Sequence, residues 1–317
     1  MIAILGAGAF GTALAVALAR AGHPVQLWTR DAAHAKDIET GRENTRRLPG
    51  IRLPDAITAT ADFPAAETYL LAIPTQSLAE LLALHRPDLG SSNLVACCKG
   101  VDLSTGLGPS GVIRANVPSA TPALLSGPSF AVDIAAGLPT ALTIAAADDR
   151  TAARLQTRLS TPTLRLYRST DLTGIELGGA LKNVIAIACG ITIGAGLGES
   201  ARAALMTRGY AEMLRFATAR GARAETLAGL SGLGDLALTC TSEKSRNFAF
   251  GLRLGAEGSA QTTATTEGIA TARAVASIAE SKGLDMPVTQ MVAAVLDGRV
   301  TVAEATDHLL ARPLRPE

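Results

Sequence analysis

The chain has 317 residues, 48% of them hydrophobic and 18% charged, which is enough for two hydrophobic cores in a soluble globular protein. Its 29 basic and 28 acidic residues nearly cancel and aromatic residues make up 3%, so it has neither the basic surface nor the stacking platforms of a nucleic-acid binder. The four cysteines (Cys97, Cys98, Cys189, Cys240) and four histidines (His23, His34, His85, His308) lack metal-ligand spacing, so no metal site is expected. The cysteines read as reduced core residues.

The apolar run Ile2–Leu5 predicts a strand, "GAGAFG" at Gly6–Gly11 a turn, and "TALAVALARAG" a helix ended by Gly22. A second strand is expected at Val25–Thr29, which completes a βαβ unit. In that context the glycine pattern is a dinucleotide fingerprint. Gly6 permits the tight turn, Gly8 lets the backbone approach a pyrophosphate and Gly11 lets the helix pack on the strand. The residue closing the second strand normally selects the nicotinamide cofactor, and here Thr29 is followed by Arg30 and Asp31. A guanidinium can clamp a 2′-phosphate, so Arg30 favours NADP(H), while Asp31 keeps NAD(H) as the alternative. Arg30 also reads as a solvated surface charge.

The polar stretch Asp37–Pro54 is expected to be a loop, either over the cofactor phosphates or simply solvated. Further strands are predicted at Thr68–Ile73, Leu94–Cys98, Ala123–Ser126 and Leu142–Ala145, with helices such as Ser77–Leu84 and Ala152–Leu159 between them. This alternation implies an α/β domain with a Rossmann-like, doubly wound, mostly parallel sheet over residues 1–172. Ligands collect at the carboxyl ends of such strands, where "IPTQ" (Ile73–Gln76), Lys99 with Gly100, and "SGPSFA" (Ser126–Ala131) stand.

From Gly174 onward only helical periodicity is visible, so residues 173–317 are expected to form an all-helical domain, its last helix at Val288–Leu296. Its first helix carries a lone lysine, Lys182, in an otherwise apolar run with Gly178 and Gly179 on the same face. Either burial strips this ammonium of water and suits it to proton transfer, or the lysine snorkels to solvent. The most hydrophobic stretch, Val184–Leu197, is shorter than a membrane span and broken by glycines, so no span is expected. The start of the chain lacks a signal-peptide pattern, and the reduced cysteines are those expected of a cytosolic protein. Farther on, Gly229–Gly251 contains Asp235 and then Ser245, Arg246 and Asn247, a set suited to an anion at a helix start. The Thr/Ala-rich "SAQTTATTEG" is the nearest approach to low complexity.

Taken together, "GAGAFGTALA", "LPGIRLP", "CCKG", "SGPSFA", "LKNVIAIACG", "AALMTRGYAEM", "GLGDLALTCTSEKSRN" and "TEG" resemble the bacterial type of NAD(P)-dependent glycerol-3-phosphate dehydrogenase over about residues 2 to 290. The resemblance implies reversible hydride transfer between NAD(P)H and dihydroxyacetone phosphate, giving sn-glycerol 3-phosphate for glycerophospholipid synthesis. It implies Lys182 as catalytic residue, with Lys99, Gly127, Ser129, Asn183, Asp235, Thr239, Ser245, Arg246 and Asn247 at the substrate. The cofactor contacts it implies are Gly6, Gly8, Ala9, Phe10, Gly11, Arg30, Lys99, Ala131, Arg246 and Glu267. A homodimer is compatible with it. The chain departs from the family pattern at Phe248, Ser200 and Arg47, and Arg47 bears on cofactor preference. Two other readings stay open: a related two-domain dehydrogenase of a 3-hydroxy acid, and a non-catalytic NAD(P)-binding sensor.

Overall fold

The computed structural model describes residues 1–258 and 267–311. It divides into two compact units, Met1–Glu176 and Leu177–Glu317. The first holds an eight-stranded sheet, in spatial order β10 (Leu164–Ser169), β9 (Thr140–Ala146), β8 (Thr121–Ser126), β7 (Asn93–Ala96), β6 (Thr68–Leu71), β1 (Ile2–Leu5), β2 (Val25–Trp28) and β5 (Ile57–Thr60). The central strands read as continuous apolar runs because helices cover both faces. Ile2, Ile4, Leu70 and Val95 belong to one core cluster, while Ala3, Leu5, Tyr69 and Leu94 belong to another. All neighbouring strands pair in parallel except β8 with β9. The strand predicted at Leu142–Ala145 therefore runs opposite to its neighbour β8. The sequence of a buried strand is the same in either direction, so periodicity could not reveal this.

The chain leaves β1 for β2 on one side and returns to β6 on the other, so strand order reverses at β1. That switch point is where ligands of doubly wound sheets bind. The carboxyl ends of β1, β2, β6, β7 and β8 share this edge and carry Gly6, Arg30, Lys99 and Gly127.

The loop expected at Asp37–Pro54 is structured. Helix α2 (Ala32–Gly41) ends at Arg42, whose φ of 50° is left-handed, and β3 (Glu43–Asn44) pairs antiparallel with β4 (Leu48–Arg52). Long-range bonds impose this order. Arg42 Nη2 donates to the carbonyls of Pro54 and Ile57 at 2.6 and 2.9 Å, and Glu39 accepts from the Ala59 N–H at 2.6 Å. Local propensity carries no sign of such bonds.

Among the described residues of the second unit every regular element is a helix. The Lys182 helix spans Leu172–Gly194, longer than its apolar core suggested and long enough to cross a membrane, yet its apolar window is 89% buried within the protein. Around it stand Gly198–Thr218, Asp235–Cys240, Arg246–Glu257, Glu267–Ser281 and Pro287–Leu296. One more helix, Val302–Leu310, follows the segment expected to be last; its capping box of Thr301 and Glu304 was the available signal. Most of "SAQTTATTEG" lies outside the described residues.

Candidate active site

In the first unit, β1 delivers the chain into the glycine turn and then into helix α1 (Ala9–Arg20). Gly6 has φ +116°, and a Cβ there would lie 2.5 Å from the Ala72 carbonyl oxygen. A Cβ on Gly11 would collide with the Gly6 carbonyl. The fold itself demands both glycines. Gly8 differs, since a Cβ there would meet nothing within 4 Å. Gly8 is also the N-cap of α1 and supplies no side-chain bond to the helix's first N–H groups. An uncapped helix start beside open space is suited to an anion. The glycine fingerprint implies a nicotinamide dinucleotide, and these residues fit one, because the room a Gly8 Cβ would fill is where a pyrophosphate approaches.

Ala9, Phe10 and Ala131 pack on one cluster with Ile134 and Ala135, so the start of α1 and the residues after β8 are brought together. Arg30 is exposed just beyond the end of β2. Lys99 follows β7 half-buried and donates through Nζ to the Gly127 carbonyl at 3.3 Å. Ser129 Oγ donates to the same carbonyl at 3.4 Å, so Lys99, Gly127 and Ser129 form one group. Thr75 Oγ1 donates to the Lys99 carbonyl at 3.1 Å and Gln76 Nε2 to the Val101 carbonyl at 2.8 Å. The polar part of "IPTQ" thus clasps the backbone that presents Lys99.

In the second unit Lys182 is 7% exposed and Asp235 1% exposed. Lys182 Nζ donates to Asp235 Oδ1 at 2.6 Å and to Thr239 Oγ1 at 2.7 Å. Asp235 and Thr239 stand four apart on the helix Asp235–Cys240 and therefore share a face. A single π turn precedes that helix, with the Gly234 N–H bonded to the Gly229 carbonyl at 3.1 Å. Gly178, on the Lys182 face, lets this turn come close: a Cβ there would lie 2.7 Å from the Ser231 carbonyl oxygen. A buried ammonium needs a counter-charge and a dipole, and both are present here. Lys182 does not snorkel.

Ser245 is the N-cap of the helix Arg246–Glu257, its Oγ accepting from the Phe248 N–H at 3.3 Å, and Arg246 is exposed at the first helical position. Hydroxyl, guanidinium and helix dipole are therefore together, an arrangement suited to a phosphate. Asn247 Oδ1 accepts from the Gly268 N–H at 3.1 Å, and a Cβ on Gly268 would lie 2.9 Å from the Asn183 carbonyl. Asn183, Asn247 and the residue after Glu267 are thus neighbours. The Lys182 and Arg246 helices meet backbone to backbone. Added Cβ atoms on Gly190 and Gly194 would strike the Phe248 and Leu252 carbonyls, and those on Gly251 and Gly255 the Ile187 and Ile191 carbonyls.

Sequence reasoning missed Asn44, which is wholly buried and donates to the Ala7 carbonyl at 2.9 Å and to Thr12 Oγ1 at 2.8 Å. It thereby ties the β3–β4 hairpin to the glycine turn. The amide stood inside a stretch read as a polar loop, where no local signal separates it from a solvated residue.

Models of the N-terminus and C-terminus of NAD-dependent glycerol-3-phosphate dehydrogenase match residues 1–152 and 171–307. A glycerol-3-phosphate dehydrogenase [NAD(P)+] of Ruegeria sp. (strain TM1040) is 60% identical, with 100% of this chain and 99% of that protein aligned. The protein of the same description in Paracoccus denitrificans (strain Pd 1222) is 59% identical, with 100% and 99% aligned. The crystal structure of glycerol-3-phosphate dehydrogenase from Coxiella burnetii superposes with a TM-score of 0.90 at 36% identity, covering 98% of both chains. With models on both halves and relatives aligned end to end, the chain belongs to the NAD(P)-dependent glycerol-3-phosphate dehydrogenase family of oxidoreductases.

Proposed function

We propose that this chain catalyses reversible hydride transfer between NAD(P)H and dihydroxyacetone phosphate, giving sn-glycerol 3-phosphate for glycerophospholipid synthesis. The observation that carries the reading is the buried Lys182 held by Asp235 and Thr239. A ketone reduced to an alcohol develops negative charge on its oxygen, and the reaction needs a proton donor there. Lys182 supplies that proton during reduction and takes it back during oxidation. Asp235 and Thr239 aim Nζ, and Asp235 favours the charged form that can donate.

The bound nicotinamide supplies the hydride in one direction and accepts it in the other. Gly6, Gly8, Gly11, Ala9 and Phe10 hold the dinucleotide, with Arg30, Ala131 and Glu267 as further contacts. Lys99 adds positive potential at the reacting carbons, and Gly127, Ser129 and Asn183 line them. Ser245, Arg246 and Asn247 anchor the phosphate, a remote group whose binding energy orients the carbonyl. The first unit serves as the dinucleotide domain and the second as the substrate domain. The enzyme works in the cytoplasm, and as a homodimer whose doubled mass light scattering of the purified protein checks.

The test is oxidation of NADPH or NADH, followed by absorbance, when dihydroxyacetone phosphate is added. Turnover that needs the phosphate on the ketone is expected. A folded protein silent with both cofactors overturns the reading, and turnover of a phosphate-free hydroxy acid instead would favour the related dehydrogenase.

A further inference from the structure

The end of the second strand is where an acidic side chain normally takes the ribose hydroxyls and repels a 2′-phosphate. Asp31 stands three residues beyond the last residue of β2, yet both its carboxylate oxygens are engaged. Oδ1 accepts from the His34 N–H at 3.0 Å as the N-cap of α2, and Oδ2 faces Arg46 Nη1 at 3.3 Å. Arg46 Nη2 donates in turn to Asp37 Oδ2 at 2.6 Å.

Half-exposed pairs of this kind ordinarily contribute about 0–1 kcal/mol, because two long side chains must be held still. Here the backbone under Arg46 is already fixed. Two residues earlier, Asn44 spends its Nδ2 hydrogens on the Ala7 carbonyl and Thr12 Oγ1, which leaves Oδ1 facing His34 Nε2 at 3.0 Å. His34 must then carry its hydrogen on Nε2 to make that bond. The Arg47 N–H closes the turn onto the Asn44 carbonyl at 3.2 Å, with Arg46 inside it. Bonds therefore run in a ring from Asp31 to His34, on to Asn44, along the turn to Arg46 and back to Asp31. The same Asn44 amide ties the ring to the glycine turn.

We propose that Arg46 is a specificity-determining residue for the cofactor: by neutralising Asp31 it lets the site accept the 2′-phosphate of NADP(H) as well as the free ribose of NAD(H). The inference rests on the dehydrogenase reading above. Without Arg46, the Asp31 carboxylate meets a second anion uncompensated and the balance moves to NADH.

The test is binding rather than turnover: NADPH and NADH titrated by nicotinamide fluorescence into the wild type, Arg46→Ala, Arg46→Gln and the double variant Arg46→Ala/Asp31→Asn. Both single variants should weaken NADPH by about tenfold, equivalent to about 1.4 kcal/mol, and leave NADH within about twofold. The double variant should recover most of the NADPH affinity, since the charge that Arg46 masked is gone. Equal weakening of both cofactors, no change in either, or a double variant as poor toward NADPH as Arg46→Ala overturns the proposal alone. A wild type that binds neither nucleotide overturns the dehydrogenase reading and the proposal with it.

Discussion

Replacing Lys182 by Met separates the energetics of the buried pair from its chemistry. At 2.6 Å and an effective dielectric of about 20, the attraction between Lys182 and Asp235 is about 6 kcal/mol. The side chains are 9% and 1% exposed, so dehydrating each ion costs several kcal/mol and the pair as a whole contributes little net stability. Lys182→Met removes the attraction but leaves Asp235 dehydrated, and it should destabilise by about 3–5 kcal/mol. Lys182→Met/Asp235→Leu removes both charges and keeps the branched shape at position 235, and it should unfold within about 1 kcal/mol of the wild type, or above it. Both variants should lose turnover by about 10²- to 10⁴-fold, the range for a lost general acid, while still binding NADPH. Denaturant unfolding without ligands gives the stabilities, and NADPH oxidation gives the rates. A single variant as stable as the wild type would mean that the pair is solvated. A double variant as unstable as the single would place the cost in packing rather than in the uncompensated carboxylate. Turnover surviving in either would move the proton donor elsewhere.

Gly8→Ala should leave unfolding of the cofactor-free protein within about 0.5 kcal/mol, since its Cβ meets nothing, and weaken NADPH by about tenfold or more. Fluorescence titration checks the second half. Gly251→Ala should do the reverse: a clash costing about 1–3 kcal/mol outweighs a helix-propensity gain of about 1 kcal/mol, so the unfolding midpoint falls. Gly41→Ala at the end of α2 meets nothing within 4 Å and should not lower the midpoint. Burial raises the Glu212 carboxyl above its ordinary range despite bonds from the Val288 and Thr289 N–H groups at 2.6 and 3.0 Å. A raised carboxyl contributes stability that is fully present below its unfolded value and is lost as pH rises through the folded one. Glu212→Gln, which cannot ionise, should therefore fare better against the wild type at about pH 7 than at about pH 5 in paired unfolding curves. The opposite trend would mean that the bonds outweigh burial.

Strands that are buried on both faces were legible because they are short apolar runs: "IAIL", "TYLL" and "NLVA" are each followed within three residues by a glycine, a proline or a lysine. The edge strand β5, "ITAT", and the hairpin strand β4, "LPGIR", were not. Their pairing is set by Arg42, Glu39 and Asn44, which act over distances of 12 to 37 residues in sequence. Lys182 was legible as a lone charge in an apolar run, but its partners were not legible from spacing. Asp235 and Thr239 lie 53 and 57 residues away; Asp235 stood out only within its own glycine-rich segment, and Thr239 came with the family resemblance. The same resemblance supplied Asn183 and Glu267. Gly190 and Gly194 looked like interruptions of a hydrophobic stretch, because a close approach between helices leaves no trace until the partner helix is known.

Those glycines fix how far Arg246 stands from Lys182 along the helices, a distance on which the proposed mechanism depends. Gly190 meets Phe248 and Gly194 meets Leu252, while Gly251 meets Ile187 and Gly255 meets Ile191, so the two helices run parallel with residue numbers offset by about 60. At about 1.5 Å of rise per residue, this register puts Arg246 within about one turn, roughly 5 Å along the axis, of Lys182. Sliding either helix by one residue would bring a side chain where only a glycine hydrogen fits, so the offset cannot drift. The separation between Lys182 and Arg246 along the helices is therefore set by backbone against backbone. Side chains can change rotamer, whereas this seam cannot adjust without the helices parting. A substrate with carbonyl and phosphate on one three-carbon chain suits such a fixed, short separation.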